Sequence, residues 1–127
     1  MDKNERYTVS ATVSFEITGQ DIDDIMSAAL DGGITYWCSR AEVVEEYLGE
    51  YGSEQISRGG SLILYNIEDG QSFELTLEKF LNGLQLWVEN IRSFSLAFDG
   101  RLDMDEIDAD VADAIVQYAL FNEIVYG

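Results

Sequence analysis

Residues 7–17 alternate apolar and polar without a break. Tyr7, Val9, Ala11, Val13, Phe15 and Ile17 share one parity, and Thr8, Ser10, Thr12, Ser14 and Glu16 the other. A period of two is that of a strand with one face on a core and one face in water. The pattern changes at Thr18, which suits a helix cap with Asp21 three residues on. Ile22, Ile25, Met26 and Ala29 then recur at helical spacing. Asp21, Asp23 and Asp24 fall in the first turns, where the helix dipole favours negative charge, and Gly32-Gly33 ends the helix.

After the apolar link 34–38, Ser39-Arg40-Ala41-Glu42 reads as a capping box and predicts a second helix. Val43, Val44, Tyr47, Leu48 and Tyr51 would line its buried face, and Glu42, Glu45, Glu46 and Glu50 its wet face. Like charges three and four apart destabilise a helix slightly, with Arg40 the only nearby base. Two apolar runs, 61–67 and 72–75, flank Asp69-Gly70 and predict a hairpin. A third helix follows from about Leu77, with Leu77, Phe80, Leu81, Leu84, Val88 and Ile91 as its core stripe. Gly83 weakens it by ~1 kcal/mol against Ala. Phe94, Leu96 and Phe98 alternate with small residues as a short fourth strand. Residues 99–127 read as one last helix, strongly acidic in its first turns and apolar later at Val111, Ala114, Ile115 and Tyr118. The element order β-α-α-β-β-α-β-α predicts one α+β domain over 1–127, a small, mostly antiparallel sheet with about four helices packed on it.

Composition limits the chemistry. No histidine is present, which removes Ser-His and Cys-His nucleophilic pairs and the usual zinc sites. Cys38 cannot form an internal disulfide and reads as a small buried hydrophobe beside a helix start. No signal-peptide apolar region and no apolar run near the ~20 residues of a membrane helix is present, so the expected setting is the cytoplasm. The glycines lack P-loop spacing. An EF-hand begun at Asp103 fails, because Ile107 and Asp108 stand where an acid and a glycine belong. Among twenty-five acids no two are singled out as a catalytic pair. The reading is of a non-enzymatic protein with no cofactor and no metal.

What remains is charge. Twenty-five acids face seven bases, a net of −18. Such a chain does not bind nucleic acid or an anionic membrane directly, since phosphate contacts need Lys and Arg. It is drawn to basic surfaces. The plain alternative is that acid serves solubility alone. If 21–24, 42–50 and 99–113 share a face, their carboxylates imitate a nucleic-acid backbone. The candidate partner-binding residues are Glu42, Glu45, Glu46, Glu50, Asp103, Glu106, Asp110 and Asp113.

Small, His-poor, very acidic domains of this kind resemble the anti-CRISPR and anti-restriction proteins of phages and conjugative elements. The runs DVADAIVQYALF at 110–121 and GGITYWC at 32–38 are similar to short uncharacterised proteins from mobile elements of gut bacteria. The first resemblance is one of composition and assigns no residue a role. It implies an inhibitor of a nuclease complex, such as a CRISPR nuclease, that blocks DNA or RNA loading. The other expectation is a structural or regulatory interaction module, with a homodimer as one form, using apolar residues such as Tyr36, Trp37 and Phe94.

Overall fold

The structure is a computed structural model that describes residues 3–9, 14–90 and 101–127. Among the described residues three α-helices pack with a three-stranded antiparallel sheet of order β1-β2-β3, an α+β architecture. The predicted fourth strand at 94–98 lies outside the described residues, as do 10–13 of the alternating stretch. The described parts of that stretch make one isolated parallel bridge, Glu16 to Arg101, while Tyr7 and Val9 are exposed.

Helix α1, Gly19–Ala28, starts where the sequence says. The Thr18 hydroxyl accepts from the Asp21 N–H at 3.1 Å, and the Asp21 carboxylate accepts from the Thr18 N–H at 3.0 Å. Each side chain thus satisfies a backbone donor that the first turn leaves over. The helix runs on into one π-helical turn, Ala29–Gly33. Gly33 is required by packing: a Cβ there would stand 2.5 Å from the Ala109 carbonyl oxygen.

The predicted second helix is not formed. Cys38–Val43 is instead strand β1, paired with β2 (Leu62–Asn66), and residues 44–51 are an irregular loop. The reason is physical. The helical reading carried unneutralised glutamates at i,i+3 and i,i+4, and Gly49 and Gly52 cut its length. Pairing with the strongly apolar β2, whose Leu62 and Leu64 are fully buried, outweighs that weak local preference. Arg40 is not a helix residue but a cross-strand neighbour of Tyr65, its guanidinium 4.2 Å from the ring centroid.

The hairpin of β2 and β3 (Ser72–Leu75) forms as expected. The Asn66 side chain accepts from the Glu68 and Asp69 N–H groups at 2.8 and 3.2 Å, and Gly70 takes a positive φ of 70°. Helix α2, Leu77–Asn90, buries Phe80, Gly83, Leu84 and Trp87 against helix α3, Ala109–Phe121. Its core face is turned from the expected stripe: Gly83 and Trp87 are inside, Leu81 is exposed, and Ile91 lies outside the described residues.

The last quarter is not one helix. A 3₁₀ turn, Met104–Glu106, precedes α3, and the acids at 103–108 stand ahead of the helix. Asp103 accepts from the Asp105 N–H and Asp108, the N-cap of α3, from the Val111 N–H. These short side chains compete for backbone N–H groups and break the helix into a turn and a later start. Helix α3 ends at Asn122 in the left-handed conformation, φ 60°, and residues 122–127 fold back. No helix among the described residues is long and apolar enough to cross a membrane.

Candidate partner-binding surface

Loop 44–51 has an irregular path but a pinned backbone. Gln55, almost fully buried, accepts from the Leu48 N–H at 3.0 Å and donates to the Glu46 carbonyl at 3.1 Å. Glu54 accepts from the Glu50 and Tyr51 N–H groups at 3.2 and 3.0 Å. Arg58 holds Glu54 at 3.3 Å and Asp23 at 3.7 Å, and the Ser57 hydroxyl donates to Asp23. Two buried or half-buried side chains of the 52–55 turn therefore fix the loop, and Asp23 ties that turn to α1. Gly60 lies so close to the Gln55 amide that any side chain there would displace it. Glu45 sits at φ 62°, a conformation uncommon for a residue with a side chain.

With its polar backbone satisfied inward, the loop turns its side chains out. Tyr47, Leu48 and Tyr51 are 62%, 49% and 62% exposed. Glu45, Glu46 and Glu50 are exposed, and their carboxylates make no ion pair or hydrogen bond among the described residues. Glu42 stands apart on β1, with Arg40 at 3.7 Å and the Tyr65 hydroxyl at 3.4 Å.

The second candidate group divides. Asp110 is exposed in the first turn of α3, while Asp103 and Glu106 belong to the 3₁₀ turn before it. Asp113 faces inward. Its carboxylate accepts from the Tyr36 hydroxyl at 2.7 Å, the Trp37 indole N–H at 2.8 Å and the Gln117 amide at 2.9 Å. A carboxylate with three internal donors is a structural group. Burial, with the hydrogen bond and negative charge of Asp113 behind it, pushes the Tyr36 hydroxyl up to about 12.

Gln117 is the residue that sequence reading missed. It is fully buried, and its carbonyl accepts from the Val125 and Tyr126 N–H groups, both at 2.8 Å. Tyr126 then stacks on Trp37 at 4.9 Å and its hydroxyl accepts from the Asn66 amide at 2.9 Å. The available signal was an amide on the apolar stripe of α3, one turn after Asp113, since a buried amide must find partners. Trp37 is only 2% exposed and offers no surface of its own. Phe94 lies outside the described residues. Cys38 begins a strand, not a helix. Its burial pushes the thiol pKa up, as suits an inert core residue.

The candidate acids therefore do not form one group: Glu45, Glu46 and Glu50 lie on loop 44–51, Glu42 on β1, Asp103 and Glu106 at the 3₁₀ turn, and Asp110 and Asp113 on α3, with α1 touching the 52–54 turn and α3. In the first acidic group, Asp21 is buried and pairs with Arg101 at 3.2 Å, and Asp23 is tied to Ser57 and Arg58; Asp24 is exposed. Among the described residues no group of three or more His, Cys, Asp or Glu side chains is arranged to hold a metal ion. Comparison with models of protein families, with curated proteins and with solved structures finds no match.

Proposed function

We propose that this chain is a non-enzymatic acidic protein that binds a basic protein surface, and that it does so as a nucleic-acid mimic encoded on a phage or other mobile element. The intended target is a nuclease of a defence system, most concretely a CRISPR nuclease, whose DNA or RNA loading it blocks. One observation carries the reading: the imbalance of −18 is not answered within the fold. Arg40, Arg58 and Arg101 each stand against an acid of the same chain, and the carboxylates of Glu45, Glu46 and Glu50 make no ion pair among the described residues. Duplex DNA carries one charge per ~1.7 Å of axis, and a folded protein with this surplus competes for the same basic channel. Its association is fast and steeply salt-dependent, because charge steers the encounter.

The test is a pull-down from host lysate washed at ~0.1 M and then ~0.5 M salt, over which the Debye length falls from ~10 Å toward the ~3 Å reached at 1 M. A nuclease released by salt and displaced by its own nucleic acid is the expected result. Glu45→Lys with Glu46→Lys should abolish capture and leave the fold intact; survival of binding would remove this loop from the interface. A salt-resistant partner, or self-association alone, would favour the second reading, an apolar interaction module or homodimer. What speaks for that reading is the exposure of Tyr47, Leu48 and Tyr51.

A further inference from the structure

The exposed apolar residues and the unanswered carboxylates occupy the same loop. We propose that residues 44–53 dock an arginine-bearing segment of the partner, whose guanidinium groups enter two open hollows that the loop helps to wall, one of them against the ring of Tyr51, with the exposed Tyr47 ring on the same loop. The inference rests on the reading that the partner is basic, and it names which cation that partner presents and where.

The first hollow, about 520 Å³, is walled by Glu45, Glu46, Leu48, Gln55 and Gly60 among others. The second, about 360 Å³, is walled by Leu30, Asp31, Tyr51 and Ser53 with Ser27 and Gly52. No lysine or arginine lines either one. Each combines a carboxylate with an apolar wall, Leu48 in one and Leu30 with Tyr51 in the other. That pairing matches a long side chain with an apolar stem and a cationic head. A carboxylate alone accepts lysine as readily as arginine. Tyr51, which walls the second hollow, and the exposed Tyr47 on the same loop break the tie, because the planar, weakly hydrated guanidinium stacks on an aromatic face better than an ammonium does.

The loop is also prepared for binding. Gln55 and Glu54 fix its backbone before any partner arrives, so less ordering entropy is lost on association. Tyrosine and arginine are the residues most enriched where interfaces concentrate their affinity.

The test uses the full chain with nona-arginine and nona-lysine peptides at about 0.15 M salt, followed by amide chemical shifts and titration. Shifts should concentrate on 45–53 and Asp31. Nona-arginine should bind at least ~3-fold more tightly than nona-lysine, the scale of one exposed cation–π contact. Tyr47→Ala with Tyr51→Ala should erase that preference and leave nona-lysine within about twofold. An unchanged melting temperature confirms that the double variant folds. Equal binding of the two peptides overturns the inference, as does a preference that survives loss of both rings, or shifts centred on the start of α3. If the peptides still bind and salt still releases them, the charge-mimic reading stands without this docking site. If neither binds even at ~0.05 M salt, both fail together.

Discussion

Replacing Gly83 by alanine pits two effects of known sign against each other. Glycine inside a helix costs ~1 kcal/mol relative to alanine, so on local preference alone Gly83→Ala should stabilise α2. The packing opposes it. A Cβ at position 83 would stand 2.5 Å from the Ala119 nitrogen and 2.6 Å from both its Cα and Cβ. Ordinary contact begins near 3.4 Å, and two of the three crowding atoms are backbone that no rotamer change can move. The helices must separate by about 1 Å, the gap between those distances, which loosens the buried residues Phe80, Leu84 and Trp87 of α2 at its contact with α3. Overpacking of this kind costs ~1–3 kcal/mol. Set against the propensity gain, with loss of contact along the whole α2–α3 seam added, the expected net is a destabilisation of about 1–2 kcal/mol. Urea denaturation should show a lower midpoint at unchanged slope. Adding Ala119→Gly should restore little, because the Ala119 nitrogen and Cα remain in the way. A Gly83→Ala protein more stable by ~1 kcal/mol, as for a glycine on an open helix face, would refute this account of how the two helices meet.

Gln117→Leu keeps the volume but strands the Val125 and Tyr126 N–H groups and takes one hydrogen-bond donor from Asp113. The residues after α3 should then lose amide-exchange protection, and stability should fall by about 1–3 kcal/mol; full protection at 125 and 126 would contradict the role given to Gln117. The raised Tyr36 pKa gives a direction with pH. The folded state holds the phenolic proton more tightly than the unfolded chain, so this stabilisation is complete below about pH 10 and fades as pH rises toward about 12. Tyr36→Phe should flatten that alkaline part of the denaturation profile, and profiles identical to the parent would show that Tyr36 is not its source. Thr18→Ala removes the cap of α1 and should cost about 1 kcal/mol by the same urea assay.

The sequence was most legible where local chemistry and packing agree. Thr18 with Asp21 marked the start of α1, Asp69-Gly70 the hairpin, and the spacing of Phe80 and Leu84 the helix α2. It misled where a tertiary partner decides. Ser39 to Glu42 has the residues of a capping box, yet β2 offers that segment a ladder of hydrogen bonds. Gly83 read as a defect because its reason is Ala119, thirty-six positions away. Asp113 read as surface because nothing local foretells that Tyr36 and Trp37 reach it. The loop acids were found as a group but on the wrong scaffold, since their position depends on Gln55 and Glu54 folding beneath them.

That scaffold separates the acids by what they do for the fold. Asp21, Asp23, Glu54, Asp103, Asp108 and Asp113 each accept hydrogen bonds or pair with an arginine within the chain. Removing any of these should destabilise. Among the described residues the carboxylates of Glu45, Glu46 and Glu50 do nothing of the kind, and in a chain of net charge −18 they add to self-repulsion. Acids that only stress the fold are those expected of a binding surface, where activity is kept at some expense to stability. Neutralising all three to glutamine should therefore leave the melting temperature unchanged or raise it, most visibly at low salt where repulsion is least screened, while partner binding is lost. A triple variant that melts lower would mean these carboxylates support the loop, and the case for them as an interface would lose its physical basis.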